Sequence, residues 1–127
     1  MRENFGKITW IAIAIVLIIV GCSPSANEST PTPEPSFPIG IFTKANWTWE
    51  FKADGSYHSE QSMANDEGVY TVTGNQITIQ GDYVPCKGIV GTYTWTYDGT
   101  ALSFTTVDDQ CTDRRNVTGR GQWLKKP

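Results

Sequence analysis

The chain predicts an all-β fold class: a small antiparallel up-and-down meander of about seven or eight short strands, closing into a barrel. Two observations carry that expectation. From Asn46 onward the apolar residues recur with a period of two, the mark of strands with one buried and one wet face. Between the alternating runs stand Asp54-Gly55, Gly74-Asn75 and Asp98-Gly99, pairs that tolerate the positive φ of tight hairpins. No long segment has a helical period.

The elements follow in order. Ile39–Ala45 reads as a short helical turn or coil leading into the first strand. Trp47, Trp49 and Phe51 alternate with Thr48, Glu50 and Lys52, so Trp47–Lys52 pairs with Ser56–Gln61 across Asp54-Gly55. Gly68–Thr73 pairs with Gln76–Gln80, presenting Tyr70, Val72, Ile77 and Ile79 to one side. Gly91–Tyr97 pairs with Ala101–Thr106 through Tyr93, Trp95, Leu102 and Phe104, and a last strand is expected over Val117–Leu124. Threonine and aromatics suit a half-buried pleated surface. Closure removes exposed edges and favours a barrel; a two-sheet sandwich is the alternative.

The first residues are of another kind. Arg2 and Lys7 precede the apolar run Ile8–Val20, broken only by Thr9. As a helix that run reaches roughly 20 Å, short of a bilayer core of about 30 Å. A charged start and a short apolar core are the proportions of an export signal. The sequence Ile19-Val20-Gly21-Cys22 resembles the lipobox of bacterial lipoproteins. That resemblance implies removal of a signal peptide over 1–21, and acylation of Cys22 with diacylglyceryl and palmitate-type chains. It also implies anchorage in the cell membrane or outer membrane, facing the exterior or periplasm. About two acyl chains give stable anchoring. The alternative is an uncleaved N-terminal anchor with an incidental cysteine.

Residues 22–38 then form a tether. Ser23–Pro38 is rich in Pro, Ser and Thr, with Phe37 as its one aromatic. Such a segment buries no core, and its prolines bias it toward polyproline II, up to roughly 50 Å in reach. The remaining 39–127, about 90 residues, make one domain. A core of that size is marginal and gains from a staple. Cys86 and Cys111 are the two cysteines left, and outside the cytoplasm a disulfide is their default state. The competing metal site has only His58 to offer as a further soft ligand.

Charge limits the partners. Without Arg2, Lys7 and Glu3 the chain's 10 basic and 13 acidic residues become 8 and 12, a net charge of −4. A nucleic-acid groove requires a basic surface, so no nucleic-acid partner is expected.

The aromatic pattern supports a second resemblance, covering roughly 46–123. Trp49-x-Phe51-x-x-Asp54-Gly55-x-Tyr57, Gly68-x-Tyr70-x-Val72 and Gly91-x-Tyr93-x-Trp95-x-x-Asp98-Gly99-x-x-Leu102-x-Phe104 stand in that order. They are followed by Asp109-x-Cys111-x-x-Arg114 and Trp123. Together they resemble the small lipocalin-like, or calycin-like, domains of bacterial lipoproteins. The resemblance implies an antiparallel barrel enclosing a small apolar ligand. It also implies an arginine packed over a tryptophan of the first strand, matched here to Arg120 against Trp47 or Trp49. The chain departs from true lipocalins in having Ala45-Asn46-Trp47 for their Gly-x-Trp and no C-terminal helix in its pattern.

The candidate ligand-binding residues are Trp47, Trp49, Tyr70, Tyr93, Trp95 and Phe104, on the inward face. The competing reading is a packed interior, since a barrel of about eight strands is just wide enough for side chains to fill. Asp108, Asp109, Asp113, Arg114 and Arg115 cluster around Cys111; they read as a solvated loop with an Asp–Arg pair, or as a calcium loop that lacks the usual oxygen spacing. His58 has no nucleophile motif around it, and Asp66 and Glu67, adjacent in a strand, point to opposite faces. No catalytic residue, metal or cofactor is therefore expected. The function expected is a membrane-tethered, extracytoplasmic protein binding a small apolar ligand or lipid. The alternative is an envelope structural or protein-interaction module with a solid core, using loops Gly81–Ile89 and Asp108–Val117 to contact an envelope protein.

Overall fold

The computed structural model describes residue 31 and residues 33–127. The export signal, the lipobox and Cys22 lie outside the described residues. Eight strands follow one another: β1 Gly40–Lys44, β2 Trp47–Phe51, β3 Ser56–Gln61, β4 Ala64–Thr73, β5 Gln76–Gly81, β6 Gly91–Tyr97, β7 Ala101–Asp108 and β8 Gln122–Lys125. One short helix, α1 Thr112–Thr118, joins β7 to β8. Each strand pairs antiparallel with its sequence neighbours, and β8 returns to β1 to close the barrel. This is the all-β meander that the alternation predicts, and the sandwich is excluded.

The register explains why the barrel closes over one apolar interior. Phe42 faces Trp49 across β1–β2, Tyr70 faces Ile79 across β4–β5, and Trp95 faces Phe104 across β6–β7. Leu102 faces Trp123 across β7–β8, bringing the last strand's one inward aromatic onto the core. Phe42, Phe51, Ile77, Ile79, Tyr93, Leu102 and Trp123 are almost completely buried. The rings meet edge-on or tilted, as their quadrupoles prefer: Trp49 lies 5.1 Å from Trp123 and 4.8 Å from Phe51, centroid to centroid.

Three boundaries differ from the sequence reading. Ile39–Ala45 is not a helical turn or coil; it contains strand β1, turned back into β2 at Ala45, whose φ is +51°. Phe42 is its only fully buried residue, between exposed Ile41 and half-buried Thr43, so the Ile-Phe pair conceals the period of two. Val117–Leu124 is not one strand: α1 runs to Thr118 and β8 begins at Gln122. The helix buries Arg114 and Thr118, so it has no apolar stripe to read. Strand β4 begins at Ala64, four residues before the expected Gly68, because polar Asp66 takes an inward position.

The end of the tether belongs to the barrel. Phe37 packs edge-on against Phe51 at 5.0 Å and Trp95 at 5.2 Å, and lies 5.5 Å from Tyr70. Pro38 behind it is buried. These two residues stopper one end of the barrel, which moves the start of the packed domain from residue 39 to Phe37. Phe37→Ala should therefore cost about 2 kcal/mol, less than a fully buried Phe because the ring is only partly covered. Urea unfolding checks this; an unchanged midpoint would show that the ring is not part of the core.

Candidate ligand-binding site

At the opposite end the barrel is not filled. A cavity of about 320 Å³ lies between the strands and α1. Strand β2 contributes Trp47 and Trp49, and β8 contributes Trp123, so three indoles form its apolar wall. Ser59 and Gln61 of β3, with Ala64, Asn65 and Asp66 of β4, line another side. The cover is made by Tyr83 and Cys86 of the β5–β6 loop and by Asp113, Arg114, Asn116, Val117 and Thr118 of α1.

The cover is held by charge and covalent chemistry. Cys86 and Cys111 are joined by a disulfide across a Cα–Cα distance of 5.4 Å, tying the β5–β6 loop to the start of α1. Beside it, Arg114 Nε donates to Asp109 Oδ2 at 2.7 Å and Nη2 donates to Oδ1 at 2.9 Å. This two-pronged pair is the strong form of a charge-assisted hydrogen bond. Arg114 Nη2 also donates to the Ile89 carbonyl at 2.8 Å, so one side chain of α1 grips the same loop that the disulfide grips. Asp109 further accepts from Tyr93 Oη and from the Cys111 backbone N–H. Burial pushes the Asp109 carboxyl up, but Arg114, Tyr93 and the Cys111 N–H outweigh it and hold the group below the usual carboxylate range.

A second carboxylate anchors the other side. Asp66 Oδ2 accepts from Tyr57 Oη at 2.6 Å, and Oδ1 accepts the backbone N–H groups of Asp82 and Tyr83 at 2.9 and 2.8 Å. Both tyrosine–carboxylate pairs sit over a glycine. A Cβ on Gly81 would collide with Tyr57 Oη and Asp66, and one on Gly91 would collide with Asp109.

Lys44 secures the helix's far end. Its Nζ lies 4.3 Å above the Trp123 ring and donates to the carbonyls of Val117 and Arg120. A cation there satisfies carbonyls that a helix terminus leaves unpaired. Partial burial lowers the Lys44 pKa to about 8. Arg120 itself is exposed and supplies only its backbone oxygen, so it is not the arginine packed on a tryptophan that the lipocalin-like resemblance implies. The cation that stands over a tryptophan here is Lys44, on Trp123.

The six candidate residues therefore divide. Trp47 and Trp49 line the cavity, whereas Tyr70, Tyr93, Trp95 and Phe104 lie in the packed part of the interior. Trp123 and Val117 also line the cavity; both fall in the last strand expected over Val117–Leu124 and stand outside the six. The Asp–Arg pair expected near Cys111 is present as Asp109 with Arg114, but it is buried rather than in a solvated loop, and Asp66, expected in no site, lines the cavity. His58 lies between Glu60 and Glu67 at 3.7 and 3.4 Å, away from the cavity.

The two buried tyrosines set an alkaline limit. Burial, then the adjacent carboxylate, raises both hydroxyls well above the ordinary value of 10.0. A group whose folded pKa is raised contributes stability below its unfolded pKa and loses it as pH climbs beyond that value. Lys44, lowered from 10.5 to about 8, has the opposite slope between those limits. The melting midpoint should therefore rise modestly between about pH 8 and 10 and then fall steeply. Tyr57→Phe should make that fall shallower in a series of thermal melts; an identical profile would contradict a buried hydroxyl.

Comparison with known proteins adds no family: no protein-family model, curated protein or solved structure matches the chain.

Proposed function

We propose that this protein is an exported lipoprotein, anchored through Cys22, whose barrel holds a small, largely apolar ligand in the cavity beneath α1. The observation that carries the reading is the cavity of about 320 Å³ walled by Trp47, Trp49 and Trp123. Ligand pockets begin at about 300 Å³ and combine apolar walls with a few placed polar groups. A cavity of about 150 Å³ lined by aliphatic and aromatic side chains takes up benzene, so this one suits a molecule of about two rings. The lipobox sequence and tether support placement at a membrane surface, and the Cys86–Cys111 disulfide suits an oxidising compartment.

The neutral fluorescent probe N-phenyl-1-naphthylamine tests the binding half. Its emission should rise and saturate at one probe per protein, and Trp47→Glu, which places a charge on the apolar wall, should abolish the rise. Emission that grows without saturation would overturn the pocket reading. Incorporation of labelled palmitate that survives Cys22→Ser would overturn the anchor.

A further inference from the structure

Three apolar side chains stand exposed together where β1 meets β8. Ile39 precedes β1, Ile41 lies in it and Leu124 lies in β8; they are 49%, 37% and 52% exposed. Phe42 and Trp123 are buried, so alternation along each strand puts Ile41 and Leu124 on the outer face, with Ile39 two residues before Ile41. Thr43 pairs with Leu124, and the Lys126 N–H donates to the Ile41 carbonyl at 2.8 Å. Ile41 and Leu124 are therefore diagonal neighbours across the seam. Met63 and Val84 are more exposed, but they stand on separate connections at the cavity end, the β3–β4 turn and the β5–β6 loop.

Lysines flank the strip. Lys126 lies beside Ile41 and Lys125 follows Leu124, both exposed, in a chain whose net charge is −3. Glu50, across from Ile41 on β2, begins the row Glu50–His58–Glu67 that leads away from β8, so it bounds the strip on that side. Asp98 is also at this end, in the β6–β7 turn, where its carboxylate accepts from the Thr100 and Ala101 N–H groups. Apolar side chains flanked by lysines suit the boundary of an anionic bilayer, where the one enters the headgroup region and the other meets phosphate.

The direction of the chain selects that occupant. Phe37 and Pro38 lead directly into Ile39, and Phe37 stands 15 positions after Cys22. The strip is thus at the end of the barrel that the tether reaches first, and the cavity is at the other. A short tether holds its two ends at an effective concentration in the millimolar range, so even a weak surface docks.

We propose that this strip rests on the anionic lipid surface that holds Cys22, with Ile39, Ile41 and Leu124 in the headgroup boundary and Lys125 and Lys126 on lipid phosphates, so that the cavity faces away from the membrane. This rests on anchorage at Cys22 and adds the orientation of the barrel.

The full protein, purified after export and assembled into nanodiscs containing a headgroup spin-labelled lipid, reads the orientation through methyl resonances. In discs of phosphatidylcholine with phosphatidylglycerol, the methyls of Ile39, Ile41 and Leu124 should broaden, and those of Met63 and Val84 should not. Omitting phosphatidylglycerol should weaken the effect. Lys126→Gln should lower the ratio of docked to undocked protein about fivefold, the contribution of one lysine at an anionic surface. Leu124→Glu, at an exposed position, should abolish the broadening and leave the other methyl shifts in place. No broadening of the strip, or equal broadening of Met63 and Val84, in protein that co-purifies with the discs would overturn the orientation and leave the anchor standing. Protein that elutes apart from the discs would overturn the anchor, and the proposal with it.

Discussion

Replacing Arg114 by Met should destabilise the domain by about 3–5 kcal/mol, the range for removing one partner of a buried ion pair. The side chains of Arg114 and Asp109 are 8% and 0% exposed, so water does not replace the lost donors. Two charge-assisted hydrogen bonds to the carboxylate disappear, together with the bond to the Ile89 carbonyl. Asp109 is then left with Tyr93 and the Cys111 N–H as its donors. Its pKa, held down in the native protein, should rise, moving the acid unfolding transition toward neutral pH. Carboxylate stability of this kind is present above the unfolded pKa and lost as pH falls through the folded value. Chemical denaturation of Arg114→Met at neutral pH checks the magnitude. A loss below about 1 kcal/mol would mean that the pair is solvated and exposed.

Removing the disulfide is the second large effect. Cys86 and Cys111 are 25 residues apart, and a crosslink of that span contributes about 3–4 kcal/mol in the chain-entropy account. Cys86→Ser or Cys111→Ser should lower the melting midpoint by roughly 12–30 °C, at about 4–8 °C per kcal/mol for a domain of this size. The expected damage is directional. The β5–β6 loop and α1 lose the covalent bond between them but keep the Arg114–Ile89 contact, so hydrogen exchange should accelerate most in those two segments. A uniform acceleration across all eight strands would indicate a staple of the whole barrel rather than of the cavity's cover. Strong reductant should reproduce the substitution.

What the sequence disclosed and what it withheld have a common physical origin. Period-two runs such as Trp47-Thr48-Trp49-Glu50-Phe51 and Tyr93-Thr94-Trp95-Thr96-Tyr97 announce strands because their inward positions are apolar. The signal fails wherever the inward position is polar or the apolar residue is isolated. Strand β1 has one buried aromatic, Phe42; the first half of β4 directs Asp66 inward; and α1 buries Arg114 and Thr118. Those last two gaps in the pattern are where the cavity lies. Its polar wall cannot imitate a core, so the strand that carries it looks like a loop in sequence.

Phe37 was hidden differently, as one aromatic among prolines that reads as spacer until its contacts with Phe51, Tyr70 and Trp95 are seen. The candidate site was legible only through Trp47 and Trp49. The partners that turn them into a cavity wall, Trp123 and Arg114, arrive through barrel closure and through the disulfide-held helix, and neither follows from local pattern.

The most direct test of the central claim, that one end of the barrel is packed and the other receives a small ligand, is native mass spectrometry of the oxidised protein purified after export. The account predicts an added mass consistent with a molecule of about two rings, released on denaturation and absent from Trp47→Glu. A protein whose mass matches the oxidised chain alone, and which takes up no N-phenyl-1-naphthylamine, would contradict it and turn attention to the 81–89 loop and α1 as a contact surface for a protein partner.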